Sequence, residues 1–246
     1  MKLITPSLYL IGLTFFVCQG MEKYPLCLRT ISTKDTTKID TSKESGALYY
    51  LGWDAEKKSC ISSVKLLSGG FDKDVKLITI SNQKSCSLPE FKSSIFCLTQ
   101  NPFDNNSTAF GLSDGSVIIW NKKDQDYTTL LQKKNYSVYA IAWHPYEKNI
   151  IACALGTDDD IIKDKGIIEL WDIKEKKCLT QLKGHKKRVY ELSWNHTDPS
   201  LLGSASSDKT AKIWFIDQKD LSQSRVAATI SQIKSKVNDF EWHLPS

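Results

Sequence analysis

The chain has 246 residues, enough for one large domain or two small ones with a real core. With 41% hydrophobic and 25% charged residues, it is not a collagen-like, low-complexity or polytopic membrane sequence. A net charge of +5 permits an anionic partner without demanding one, and seven tryptophans are many for this length.

The first 20 residues read in two ways. As a secretory leader, Lys2 supplies the charge, Leu8 to Val17 the apolar run, and Cys18 and Gly20 the small residues near a cleavage point. As folded chain, Gly12 to Val17 (GLTFFV) would serve as a buried strand. The apolar run is too short to span a membrane comfortably. Three sequon regions, at Asn105/Asn106, Asn135 and Asn195, matter only under the leader reading and are otherwise chance in a Ser/Thr-rich chain. The cysteines (Cys18, Cys27, Cys60, Cys86, Cys97, Cys153, Cys178) contain no CxxC pair, so zinc-ribbon and dithiol readings have no support. Cys97 and Cys153 lie in apolar runs and read as buried free thiols rather than as a disulfide framework.

The rest of the chain repeats. Trp120, Trp171 and Trp214 each close a β-rich run that follows a polar turn: Asp114-Gly115-Ser116, Lys165-Gly166 and Asp208-Lys209-Thr210. An earlier copy, Asp72 to Ile78, matches Asp208 to Trp214 but carries Ile78 in place of tryptophan. A second set of markers starts successive units at Leu48, Ile95, Val138, Val189 and Val237, at intervals of 47, 43, 51 and 48 residues. Periods of this length, filled with short Val/Ile/Tyr/Trp strands between Gly/Asn/Asp/Ser turns and with no helical period, indicate four-stranded propeller blades.

Gly184-His185, Ser204, Asp208 and Trp214, with Trp171-Asp172 in the preceding copy, resemble the WD40 repeat. The resemblance covers about residues 22–246. It implies that His185, Ser204, Asp208 and Trp214 form a hydrogen-bond network inside one blade, a structural role rather than a catalytic one. The expected fold is all-β, a WD40 β-propeller segment of about four blades with an incomplete ring. The segments are 1–20, a leader or residual strand; 22–47, the outer strand of a preceding blade and a linker; blades at 48–90 (degenerate), 91–134, 135–183 and 184–228; and 229–246, the first strand of a further blade. Cys27 to Ile31 matches Cys178 to Leu182, an outer strand, so the chain is expected to be a fragment cut within a blade at both ends.

One propeller face is built from the loops between blades and the mid-blade turns, and cations concentrate there: Lys133, Lys134, Lys186, Lys187, Arg188, Lys234, Lys236, Lys165 and Lys209 among them. The second residue of each innermost strand is Tyr49, Phe96, Tyr139 and Tyr190 in successive blades. Aromatics at the channel rim beside cations suit stacking on unpaired bases or holding a cationic side chain; the alternative is that they simply pack. The partner-binding candidates are therefore Tyr49, Phe96, Tyr139, Tyr190, Lys186, Lys187, Arg188 and Lys209.

Other constellations lead nowhere. His144, His196 and His243 recur one per blade, too far apart to share a metal, and the Asp158–Asp160 run lacks the spacing of a calcium loop. Trp171-Asp172-Ile173-Lys174 resembles the WDxR box of cullin-4 ubiquitin-ligase receptors, with lysine in place of arginine. No GxSxG, P-loop or paired Cys/His motif is present, so no enzyme activity, cofactor or metal is expected. The expected function is a non-enzymatic scaffold for multi-protein complexes, in the cytoplasm or nucleus, or secreted if the leader works. The alternative is recognition of single-stranded RNA, because Ala140 to Pro145 and Gly184 to Val189 are similar to stretches of the SMN-complex scaffold that reads small nuclear RNAs.

Overall fold

The structure is a computed structural model. It describes the strands between residues 7 and 87 by their backbone, and residues 91–104, 106–157, 165–231 and 233–242 with their side chains. The chain divides into two compact units, Met1–Ile95 and Phe96–Ser246. Among the described residues, no helix is long and apolar enough to cross a membrane.

In the first unit, β1 (Ser7–Ile11), β2 (Thr14–Val17) and β3 (Lys38–Asp40) form a small antiparallel sheet in the order β2-β1-β3. Two of its strands fall in the stretch read from sequence as leader or strand. Cys27 to Ile31, the expected outer strand, lies outside the described residues. β4 (Leu48–Asp54), β5 (Lys65–Gly70), β6 (Val75–Thr79) and β7 (Ser85–Ser87) make a four-stranded meander. Its register sets Trp53 opposite Leu66 and Leu66 opposite Ile78. The same ladder in the last complete blade runs Trp194, Leu202, Trp214, so Ile78 occupies the tryptophan position.

The second unit contains three further meanders. They are β8 (Ile95–Gln100), β9 (Ser107–Leu112), β10 (Ser116–Asn121) and β11 (Asp126–Gln132); β12 (Ser137–Trp143), β13 (Ile150–Gly156), β14 (Gly166–Asp172) and β15 (Lys177–His185); and β16 (Val189–Trp194), β17 (Leu201–Ser206), β18 (Ala211–Phe215) and β19 (Arg225–Ile230). We call these the second, third and fourth blades, after the meander of the first unit.

In the second, third and fourth blades burial is greatest in the second strand and falls toward the outermost. β9, β13 and β17 are buried almost throughout, whereas β19 is exposed almost throughout. A strand covered on both faces needs no polar alternation, which is why β13 reads IIACALG. Its side chains still alternate between neighbours. Ile151, Cys153 and Leu155 join the core shared with the second blade, and Ala152 and Ala154 join the core shared with the fourth. In the second to fourth blades apolar area is thus buried largely between neighbours, so the stability of each depends on the blade beside it.

Three indoles cross those junctions. Trp143 Nε1 donates to the Thr99 carbonyl at 3.2 Å, Trp194 Nε1 to Ala142 at 3.3 Å, and Trp242 Nε1 to Ser193 at 2.8 Å. Trp143 and Trp194 end the innermost strands β12 and β16, Trp242 lies in the segment 233–242, which forms no strand, and each indole reaches the innermost strand before it. Residues 233–242 follow the fourth blade with the Val237 amide on Ser206 and Phe240 packed over Gly203, where a Cβ would have no room. Trp194→Phe keeps an aromatic ring but removes the bond to Ala142 and part of the buried indole. Urea denaturation is expected to show a loss of more than about 1 kcal/mol, and an unchanged midpoint would mean that neither contributes.

Candidate functional site

The fourth blade has to house a buried indole and a buried imidazole. Trp214 is 1% exposed, and its Nε1 donates to Ser204 Oγ at 2.8 Å. Ser204 Oγ lies 2.8 Å from His185 Nε2, and His185 Nδ1 lies 2.9 Å from Asp208 Oδ2. The proton order follows from the donors. The indole gives to Ser204, the hydroxyl gives to Nε2, and Nδ1–H gives to the carboxylate, which leaves a neutral imidazole. Burial accordingly lowers the His185 pKa against the pull of Asp208. Burial pushes the Asp208 carboxyl up, but the Thr210 hydroxyl, the Lys186 amide and His185 bring it below the usual range.

Asp208 also shapes the surface. Its Oδ1 accepts from the Thr210 amide and hydroxyl, and its Oδ2 from the Lys186 amide at 2.9 Å. Ser206 Oγ bonds the carbonyls of Lys187 and Arg188. The loop carrying Lys186, Lys187 and Arg188 is therefore tied at each residue to the network below it. Lys209 is held in the same turn at φ 69°, a left-handed conformation where the second blade has Gly115 at φ 83°. Lys186, Lys187 and Lys209 are exposed.

The other blades solve the indole problem differently. At the ladder position of Ser204 the third blade has Cys153, and Trp171 Nε1 donates instead to Glu169 Oε2 at 3.0 Å. Glu169 is 3% exposed and is compensated by Lys133 Nζ and Gln181 Nε2. Burying a carboxylate is tolerable only with partners of this kind. Lys133, counted in the sequence among the face cations, is thus spent inside the blade. Glu169 interrupts the apolar run Ile167 to Trp171, which marks a buried acid in the sequence without pointing to Lys133 as its partner. In the second blade Phe110 takes the serine position, and Trp120 Nε1 finds no hydrogen-bond acceptor among the described residues.

The rim aromatics meet. Phe96 stacks on Tyr139 with centroids 5.3 Å apart at 28°, and Tyr190 meets Tyr139 edge-on at 5.7 Å. Sheet pairing explains their aim, which the sequence pattern did not reveal. The register slips between Val138 and Ala140 and between Val189 and Glu191, so Tyr139 and Tyr190 are bulged residues turned out of the ladder. Tyr49 is bulged likewise, between Leu48 and Tyr50, and its side chain lies outside the described residues. Arg188 Cζ stands 5.4 Å from the Tyr139 ring centre, and Nη1 donates to the Tyr139 hydroxyl at 3.0 Å. Gly156 permits this, since a Cβ there would fall 2.6 Å from Arg188 Cγ. The cation expected of a ligand is, at Tyr139, supplied by the chain itself.

The profile of the family "WD domain, G-beta repeat" matches residues 176–214, the stretch that includes His185, Ser204, Asp208 and Trp214. Residues 176–214 thus form a WD40 repeat. The chain is similar to Protein SPA1-RELATED 4 of Arabidopsis thaliana, 28% identical over 49% of this chain and 13% of the relative. It is similar to Protein transport protein SEC31 of Dictyostelium discoideum, 29% identical over 63% of this chain and 12% of that one. It is also similar to Gem-associated protein 5 of Homo sapiens, 30% identical over 58% and 9%. The chain thus spans a small part of the length of these relatives.

The network fixes the sign of a pH effect. His185 is depressed in the fold and returns to about 6.5 on unfolding, so the unfolded chain takes up the proton first. Stability present at neutral pH is lost as pH falls from about 6.5 through the lowered folded value, and depressed Asp208 adds a further loss below about 4. Urea midpoints should fall between pH 7.5 and 5.5, with a shallower fall in His185→Gln. A wild-type midpoint that rises over this interval would contradict the neutral-imidazole assignment.

Proposed function

We propose that this WD40 chain is a non-enzymatic assembly module that holds a partner protein on the face carrying Lys186, Lys187, Arg188 and Lys209 beside Phe96, Tyr139 and Tyr190. The observation that carries the reading is the Arg188–Tyr139 pair packed between Phe96 and Tyr190, because it fixes a cation over an aromatic patch without any ligand. Such a preordered surface costs little to immobilise on binding. Aromatic and arginine side chains are also the residues that dominate protein interfaces. The surrounding lysines favour an acidic segment in that partner.

Single-stranded RNA is the second reading, supported by the exposed lysines and by the similarity to Gem-associated protein 5. The Tyr139 ring counts against it. One side already stacks on Phe96 and the ring also carries Arg188, so it offers little open surface to a base. We also propose an intracellular site of action. Cys97, Cys153 and Cys178 are free thiols, which suits a reducing compartment.

Affinity purification of the full chain from cells, with and without ribonuclease, tests both readings. Proteins that stay bound after ribonuclease and are lost with Tyr139→Ala, and with Lys186→Glu plus Lys187→Glu, are the expected result. Loss of all of them on ribonuclease treatment, with steep salt sensitivity, would favour RNA. Retention by both variants would remove this face from the account.

A further inference from the structure

At the far end of each innermost strand from the aromatic rim, the chain turns back into the second strand, and the three turns of the second unit are built alike. In the second blade Asn101 Oδ1 accepts the amide of Phe103 at 2.9 Å. In the fourth, Asn195 Oδ1 accepts the amides of Thr197 and Asp198, each at 2.9 Å. The third blade has His144 at this position, and its Nδ1 accepts the amides of Tyr146 at 3.2 Å and Glu147 at 2.9 Å. An imidazole nitrogen thus does the work of a side-chain amide oxygen. The two acceptors differ in one respect: the nitrogen can be protonated, and it then becomes a donor.

We propose that His144 is a protonation-operated latch, which closes the 144–150 turn and its junction with the fourth blade when neutral and releases them when charged. With Nδ1 accepting two amides, the neutral ring carries its proton on Nε2. A second proton has to go to Nδ1, where two N–H donors already converge. Both hydrogen bonds are then lost and three donors face one another.

The ring is well placed for this to matter. His144 is 2% exposed, and its ring meets that of Trp194 in the next blade at 4.6 Å. Trp194 is the tryptophan whose indole crosses to Ala142. Two residues on, the Tyr146 hydroxyl donates across the same junction to the His196 carbonyl at 2.7 Å. The turn, the ring contact and two inter-blade hydrogen bonds therefore lie together at one end of the junction.

Few groups act against the latch. Burial lowers the His144 pKa, and Glu147 on the same turn and the Pro199 carbonyl of the fourth blade pull it back up. From that blade the ring meets Trp194, which does not titrate. The titratable side chains of the neighbouring turn, His196 and Asp198, are exposed to solvent.

In the open turn the imidazole regains a value of about 6.5, so below that pH the opening constant rises by up to about tenfold per pH unit until the closed form itself titrates. Site-resolved amide hydrogen exchange on the full chain at pH 7.5 and 5.5, corrected for intrinsic rates, reads it directly. Protection of the Tyr146 and Glu147 amides is expected to fall several-fold more on acidification than that of Thr197 and Asp198, whose acceptor is asparagine. His144→Asn, which installs the acceptor of the other two blades, is expected to make the two turns respond alike. His185→Gln should leave the difference between the turns intact, which separates this effect from the fourth-blade network. Equal responses of the two turns in the wild type would overturn the proposal. So would an unchanged difference in His144→Asn. Nitrogen shifts of the His144 ring in the unsubstituted chain give a second reading, and Nδ1 found protonated at pH 7.5 would overturn it as well.

Discussion

A tryptophan is a large apolar ring with one N–H, and burying the ring obliges the chain to supply an acceptor for the N–H. Much of this structure follows from that obligation. The indoles of Trp143 and Trp194, at the ends of innermost strands, and of Trp242, in the segment after the fourth blade, are satisfied by backbone carbonyls of the preceding innermost strand, so each doubles as a rivet. Two of the three third-strand indoles of the second unit are satisfied within their own sheets, by Ser204 in the fourth blade and Glu169 in the third, whereas Trp120 Nε1 has no acceptor among the described residues. Serine brings in His185 and Asp208, and glutamate brings in Lys133 and Gln181. One requirement thus selects two different buried networks in adjacent repeats.

The fourth-blade network reaches the surface and the third-blade network does not in the same way. Asp208 has two oxygens, one for its own turn and one shared by His185 and the Lys186 amide, so it closes the interior and sets the height of the basic loop together. Arg188, the last residue of that loop, then leans over Gly156 and reaches Tyr139 of the preceding blade. The candidate binding face is therefore an inter-blade feature. It arises from a bulge in one blade and a tethered loop in the next, and neither blade carries it alone.

The architecture was legible in the sequence because it repeats. The intervals between Leu48, Ile95, Val138 and Val189 locate the innermost strands, no strand forms at Val237, and Ile78 stands at the tryptophan position in the ladder. The fourth-blade side chains were legible through likeness to a family motif. The third-blade network was not, since Lys133 and Glu169 are 36 residues apart and no local pattern connects them. The bulges that aim Tyr139 and Tyr190 were equally hidden, because a slip in register is a property of two strands and the sequence shows one at a time. The aromatic positions were singled out, but the internal cation that occupies Tyr139 was placed in a ligand instead.

The central claim is that one carboxylate couples the buried indole to the basic loop. The most direct measurement is hydrogen exchange of the Trp214 indole proton and the Lys186 backbone amide in Asp208→Ala. The account predicts that both lose protection together, through His185 and Ser204 in the first case and directly in the second, while the Trp194 indole is much less affected. A Trp214 indole that exchanges as slowly in the variant as in the wild type would contradict it.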